Sequence, residues 1–308
     1  MNLENKSLLI ILGTSVKWIN DLFLALLFLF TSFFSSKADT LTYTDSFGSF
    51  QNAASISASR EEFIFVSDQQ TNQLFKYSIN GNLLQTFGGT GINENSLNGP
   101  VSVDASNGLD VYVCDNRNNR VQRYDINLHF IATFNLNTYN LTADNSRRIF
   151  YPYGIAFLNT SEIFILADAT NYKAAKLKAF EDVSNVFGNS NIGADNLVSP
   201  KKIVKGTNLD VWILDAGTDD IVNFDNYGTY VKRLRNPEKD SIISISYYVD
   251  CLYILKKSSI TIYDLAKGGY AAFYYFEKIS ENLKDLAVIN KNNILILSDK
   301  KIYKYLNK

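Results

Sequence analysis

An all-β fold built from six repeats of four short strands is what this sequence predicts, and three observations predict it. The chain holds 19 Tyr and 21 Phe among 308 residues, with many Ile, Val and Thr; such stiff or flat side chains suit a pleated, half-buried surface. An apolar strand ending in Asp recurs along the chain, followed at fixed offsets by two core-facing positions. Turn signals recur in step with it, including Asn80-Gly81, Tyr227-Gly228 and Gly268-Gly269, where positive φ is tolerated. The 46% hydrophobic content supplies a substantial core.

The repeat is read position by position. Phe65-Val66-Ser67-Asp68 leads to Leu74 and Tyr77, and Val113-Cys114-Asp115 leads to Val121 and Tyr124 at the same offsets. Ala167-Asp168 gives Ala174 and Leu177, and Ile213-Leu214-Asp215 gives Ile221 and Phe224. The Asp positions step by 47, 53 and 47 residues. Two further copies, LYILKKSSITIY at 252–263 and ILILSDKKIYKY at 294–305, place Lys256 and Asp299 in the Asp slot.

Within a unit, a first strand (101–103 or 154–157) precedes the one ending at Asp, a third follows the polar turn, and a fourth follows the glycine turn. Pro100, Pro152 and Pro200 fall just before first strands, where no ladder N–H is needed. A period of 41 to 53 residues with four strands each is the signature of a six-bladed β-propeller. The sixth unit stops after its third strand, and LTYTDSFGSF at 41–50 reads as the strand that completes it, closing the ring without an open edge.

Residues 1–38 are a separate object. LFLALLFLFTSFF at 22–34 carries no charge over 13 residues and precedes Ser36-Lys37-Ala38, the pattern of a secretory signal with a small-residue cleavage site. The alternative is an uncleaved membrane anchor, although the run is short of the about 20 residues a spanning helix needs. Export follows from either, to a periplasmic, cell-surface or extracellular location. The domain reading is therefore leader or anchor at 1–38 and propeller at 39–308.

The residues 87–134 carry a family resemblance: Phe87-Gly88 in the link, Pro100 before the inner strand, then Asp115, Asn118 and Arg120 in an Asp-x-x-Asn-x-Arg turn leading to Val121 and Tyr124. This resembles an NHL repeat. The first and fourth units follow the pattern with Gln73 and Asp220 in the Arg slot, and the third keeps Asn171 but has Lys173. The resemblance implies a six-bladed propeller; it implies little about activity, because such propellers host both binding modules and enzymes.

The chemistry is weighed on particular residues. Asp68, Asp115, Asp168 and Asp215 are read as structural, each carboxylate accepting backbone N–H groups of its own turn. The turns and the links at 88–99, 135–150 and 188–199 are expected on one rim. There Asn116, Arg117, Asn118, Arg147, Arg148, Tyr151, Tyr153, Asn171 and Tyr172 form the candidate partner-binding face, for a protein, peptide or glycan. No catalytic residue, no metal and no cofactor is expected. A single histidine, His129, cannot assemble a catalytic zinc site or a Ser-His-Asp triad.

Residues 39–308 hold 27 Lys and Arg against 29 Asp and Glu, so nucleic acid is not an expected partner. Membrane contact is expected only through an uncleaved N-terminal segment. The alternative function is a calcium-dependent lactonase-like hydrolase with a central-channel site. Its acidic candidates are few: Asp104 and Asp285, at opposite mouths, with Glu281 just upstream of the latter. Cys114 and Cys251 lie on opposite blades and are expected to stay unpaired.

Overall fold

Apolar alternation turns into strands throughout, and the strands assemble into blades in sequence order. The computed structural model describes residues 39–307 apart from 61, 160–161, 168–172, 189–192 and 239. Residues 1–38, read as a leader or anchor, and Asp168, Asn171 and Tyr172 thus lie outside the described residues. Two N-terminal strands, β1 (Asp39–Thr40) and β2 (Thr42–Phe47), precede the first blade. Blade 1 is β3 (Ala53–Ser59), β4 (Phe63–Asp68), β5 (Gln73–Ser78) and β6 (Leu83–Gly88). Blade 2 is β7 (Pro100–Asp104), β8 (Asp110–Asp115), β9 (Arg120–Asp125) and β10 (Phe130–Asn135).

The link to blade 3 carries a short helix α1 (Leu136–Thr142), capped by the Asn135 side chain, which accepts from the Asn137 and Thr138 N–H groups. Blade 3 comprises β11 (Gly154–Asn159), β12 (Glu162–Ala167), β13 (Lys173–Lys178) and β14 (Asp182–Phe187). Blade 4 comprises β15 (Pro200–Lys205), β16 (Val211–Asp215), β17 (Asp220–Phe224) and β18 (Tyr230–Leu234). Blade 5 follows as β19 (Ser244–Tyr248), β20 (Cys251–Leu255), β21 (Ser259–Asp264) and β22 (Gly269–Tyr275). Blade 6 is β23 (Leu283–Asn290), β24 (Asn293–Ser298) and β25 (Ile302–Leu306).

The strand that completes blade 6 is β2, paired antiparallel with β25 from Thr42↔Leu306 to Phe47↔Ile302. The closing strand is thus where the sequence places it. One detail differs: β1 joins the outer edge of blade 5, next to β22, making that sheet five-stranded. The N-terminal segment therefore spans two blades rather than one.

First strands pack side by side around the axis, β3 on β7, β7 on β11, β11 on β15, β15 on β19, β19 on β23 and β23 on β3, so the ring is closed. The core is divided accordingly. Among the described residues six buried apolar clusters occur, one between each pair of adjacent blades; between blades 3 and 4, for example, Phe164, Leu166, Ile213 and Phe224 meet. Each blade is a sheet with two apolar faces, and a neighbour on either side is the only way to bury both. Among the described residues no helix is long and apolar enough to cross a membrane.

Candidate functional site

The turns after the second strands share one rim with the starts of the first strands, because Asp68 pairs with Ala53, Asp115 with Pro100 and Asp215 with Pro200. All three carboxylates are fully buried. Their partners differ from the own-turn arrangement expected. Asp68 accepts the Gln70 N–H at 2.8 Å in its own turn, but also Gln51 N–H at 2.7 Å and Asn52 N–H at 3.2 Å in the incoming link. Asp115 accepts Asn98 N–H at 2.6 Å and Asp215 accepts Ser199 N–H at 2.7 Å, both also from the link. The aspartates therefore clamp the link to its own blade. A buried carboxylate needs several donors, and link and turn together supply them.

The rest of the turn reaches forward to the next blade. Asn72, Asn119 and Asp219 all sit in the left-handed region, with φ of 56°, 52° and 57°. Asn72 Oδ1 accepts Gly99 N–H at 2.7 Å, Asn119 Oδ1 accepts Tyr151 N–H at 2.6 Å, and Asp219 Oδ1 accepts Ile242 N–H at 2.9 Å. Asn and Asp tolerate this conformation and offer a side-chain oxygen. Each turn thus ties backwards through its second-strand Asp and forwards through this residue. Recurrence of Asn or Asp four residues after the slot was the available sequence signal.

Arg120 completes the best-formed turn. Its Nε donates to Asp115 Oδ2 at 2.7 Å, and its terminal nitrogens donate to the carbonyls of Ile92 (2.6 Å), Asn93 (2.9 Å) and Ser96 (2.8 Å). Burial pushes the Asp115 carboxyl above its usual range, opposed by the Asn98 N–H, the Asn118 amide and Arg120. Blade 4 has Asp220 in the Arg slot, and Arg233 arrives instead from β18. Its guanidinium donates to Asn196 O at 2.6 Å and Thr218 Oγ1 at 2.9 Å, and lies 3.5 Å from Asp215.

Arg233→Ala is therefore expected to cost about 3 kcal/mol, as for breaking a buried ion pair, while Arg235→Ala costs under about 1 kcal/mol. Arg233 is 11% and Arg235 83% exposed at the side chain, which decides the contrast. Denaturant titration of the two variants checks this, and equal losses would refute the assignment.

The two weaker copies correct the sequence reading in detail. In blade 5, Lys256 does occupy the slot, and its ammonium bonds Asn236 Oδ1 at 3.0 Å and Glu238 Oε2 at 2.7 Å in the link. The clamp persists with its charges exchanged. In blade 6 the slot belongs to Ser298, not Asp299. The Asp299 N–H donates to Asn282 O at 2.8 Å, the bond that Gln69 makes to Asn52 and Ala216 to Ser199 one position after their slots.

Of the candidate partner-binding residues, Asn116 and Asn118 are engaged internally. The Asn116 amide donates to Pro152 O at 3.1 Å, and the Asn118 amide to Asp115 Oδ2 at 2.8 Å and Gly91 O at 2.7 Å. Tyr153 is half-buried against the cluster between blades 3 and 4. Arg147 lines an outer groove with Tyr139, Asp144 and Phe180, away from the Asp115 turn's own contacts. Arg117, Arg148 and Tyr151 are exposed. The 116–119 turn lies directly against 151–152 through the Asn116 and Asn119 bonds, so Arg117 and Tyr151 belong to one surface.

The channel carries one ionic network. Asp285 accepts Ser55 Oγ at 3.0 Å, Ile56 N–H at 3.0 Å, Lys202 Nζ at 2.5 Å and Ser244 Oγ at 2.6 Å, joining blades 1, 4, 5 and 6. Asp104 lies at the other end, accepting Phe157 N–H at 2.7 Å and Ser106 N–H at 2.8 Å. The two acids occupy opposite mouths, as their strand positions implied. Calcium takes six to eight oxygens, commonly several carboxylates. These residues do not fit it: the Asp285 carboxylate at the upper mouth already holds the Lys202 ammonium, and Glu281 bonds Tyr303 instead. Among the described residues no group of three or more His, Cys, Asp and Glu side chains could hold a metal ion.

His129 is 79% exposed and paired with Asp125 at 2.9 Å, on a turn of the opposite rim. Cys114 and Cys251 are both free thiols, and burial pushes the Cys114 thiol well up, so it packs as an apolar side chain.

Comparisons with known proteins agree with this architecture. The family model described as NHL repeat matches residues 97–124, the segment that contains the Asp115–Arg120 clasp. A streptogramin B lyase structure is similar at TM-score 0.59 and 16% identity, over 89% of this chain and 90% of that one. Virginiamycin B lyase from Staphylococcus aureus is similar at TM-score 0.55 and 14% identity, over 84% and 85%. The same enzyme in catalytically inactive form with quinupristin gives TM-score 0.56 at 14% identity, over 83% and 80%. No curated protein matches the chain in sequence. At these identities the likeness concerns the fold. The chain is a six-bladed β-propeller closed by its own N-terminal strand, with an NHL repeat at residues 97–124.

Proposed function

We propose that this propeller is a non-enzymatic, exported binding module that holds a protein, peptide or glycan partner on the rim of its Asp turns, over blades 2 and 3. The observation that carries the reading is a contrast in how polar groups are used. Within the Asp115 turn itself the side chains of Asn116, Asn118, Asn119 and Arg120 all bond within the chain, whereas Arg117, with Arg148 and Tyr151 near it, stands exposed. Guanidinium groups beside an aromatic ring suit a partner that presents carboxylates. The leader supports export.

A lyase reading finds less support. The inactive virginiamycin B lyase carries a histidine replaced by alanine, whereas the one histidine here is an exposed residue on an outer turn. The channel acids are likewise taken up by lysine, hydroxyl and backbone partners.

The test is capture of partners from a cell-envelope fraction by the chain and by a variant with Arg117→Ala, Arg148→Ala and Tyr151→Ala. Partner recovery is expected to fall at least about tenfold, since exposed Arg and Tyr contacts of this kind contribute about 1–2 kcal/mol each. Undiminished recovery by the variant, or no saturable partner for either, would overturn the rim assignment.

A further inference from the structure

On the rim opposite the Asp turns, the blades repeat a pairing of acid and cation that blade 4 breaks. In blade 2 Asp110 opens β8 and Arg123 stands on β9 opposite Tyr112, with guanidinium and carboxylate 3.2 Å apart. In blade 3 Glu162 and Lys176 hold the same ladder positions, Lys176 opposite Phe164 and its ammonium 2.8 Å from the carboxylate. That ammonium also fills the junction with blade 4, donating to the Asn226 carbonyl at 2.8 Å. Lys76 of blade 1, opposite Phe65, does the same towards blade 2 and donates to the Ile126 carbonyl at 2.9 Å.

In blade 4 the acid remains, as Asp210, but Asn223 stands opposite Trp212 where the cation is due. Its short amide stays within the blade, donating to Asp210 Oδ2 at 2.8 Å and to the Val211 carbonyl at 3.0 Å. The junction with blade 5 is left as a pocket of about 480 Å³. Leu265 and Ala266 wall it on the blade 5 side, on the turn after β21 that corresponds to the turns at Ile126 and Asn226.

Carboxylates outnumber cations in this pocket: Asp210, Asp225 and Asp250 line it beside one ammonium, that of Lys232. Lys232 arrives from β18 and lies over the Trp212 and Tyr263 rings, at 5.2 and 5.7 Å. Neither it nor any of the three acids forms an ion pair among the described residues. Lys232 thus takes the missing cation's place on the aromatic ring but not on the acid. Asp225 Oδ1 accepts the Tyr227 and Thr229 N–H groups, and Asp250 Oδ1 accepts the Thr207 and Tyr247 hydroxyls. Oδ2 of each has no hydrogen-bond partner among the described residues.

A place that the sister blades fill with their own ammonium suits an ammonium from outside. Such a group brings three donors and no acceptor, and its bonds to carboxylates are charge-assisted. Three carboxylates against one ammonium leave the lining short of two positive charges. The three acids are not grouped closely enough to hold a metal ion, whereas two ammonium groups on one chain reach separate carboxylates. Val231 and Leu265 offer apolar contact to the methylenes between them. We propose that the pocket between blades 4 and 5 binds an aliphatic diamine, one ammonium of which takes the position that Lys176 fills between blades 3 and 4.

Calorimetric titration of the full chain with cadaverine, against pentanediol and calcium chloride, tests this. Saturable cadaverine binding is expected, with pentanediol at least about tenfold weaker and calcium unable to displace the amine. Asp210→Asn should weaken cadaverine about tenfold, and Asn223→Lys, which restores the cation from within, should weaken it at least as much. The proposal is overturned by an absence of saturation, by pentanediol matching cadaverine or by calcium displacing it. It is equally overturned if Asp210→Asn and Asn223→Lys both stay within about twofold of the parent. The ligand comparisons use the unaltered chain, so they decide even where a substitution disturbs folding. No rim residue enters the titration, so its outcome is separate from that of partner capture.

Discussion

Replacing Asp285 by Ala is expected to lower the unfolding free energy by about 3–5 kcal/mol, because it leaves a buried ammonium without its counter-charge. Asp285, in blade 6, is 2% exposed and is the shared acceptor of Ser55, Ile56, Lys202 and Ser244, from three other blades. Its loss also leaves the Ser244 hydroxyl and the Ile56 N–H short of partners in a dry wall. For a chain of this size each kcal/mol shifts the melting temperature by about 2–4 °C, so a fall of about 10 °C is the calorimetric result. Lys202→Met should cost less, since Asp285 keeps both hydroxyls and the Ile56 and Leu286 N–H groups. A loss below about 1 kcal/mol for Asp285→Ala would show that the network contributes little beyond packing.

Deleting residues 1–47 is the second large effect. It removes β2, leaves β25 as an unpaired edge and takes away the strand that ties blade 6 to the chain entering blade 1. Leu41 is 2% exposed in the cluster of blades 5 and 6, Tyr43 meets Tyr305 edge-on at 5.9 Å, and Phe47 lies 5.4 Å from the Tyr77 ring of blade 1. Burial of Leu41 contributes about 1.5–3 kcal/mol and the half-burial of Phe47 less, which with the lost β2–β25 ladder is a large share of the 5–15 kcal/mol by which ordinary domains are stable. The truncated chain should therefore aggregate through its free edge. A synthetic peptide of residues 40–50 added during refolding should restore a soluble monomer, read by size-exclusion chromatography. A truncated chain that stays monomeric with unchanged melting would show that closure is dispensable.

The ring, its six units and the identity of the closing strand were legible because they rest on local pattern. Alternation of period two marks each strand, Asp and Gly mark the turns, and Pro100, Pro152 and Pro200 mark where blades begin. The Asp slots were legible as structural, and their own turns do supply donors, yet further partners lay 16 or 17 residues back in the links. The blade 6 slot was misplaced by one residue because Asp299 resembles the others in type, whereas the ladder puts Ser298 at that register. Arg233 was invisible for a related reason. A guanidinium on a long flexible stem reaches the same carbonyls from another strand, so the function of the Arg slot moved without leaving a motif.

The candidate rim shows the same division. Asn116, Arg117 and Asn118 read as one exposed tip, but an amide within reach of a buried carboxylate or a free carbonyl bonds there first, and only the Arg117 side chain is left outside. By itself the sequence determined the strands, their number and the order of blades, since each follows from side chains a few positions apart. Only the tertiary structure decided which polar groups remain available. Ser55 and Asp285 stand 230 positions apart and touch solely because the ring closes, and a group's freedom to act depends on every neighbour that closure brings to it.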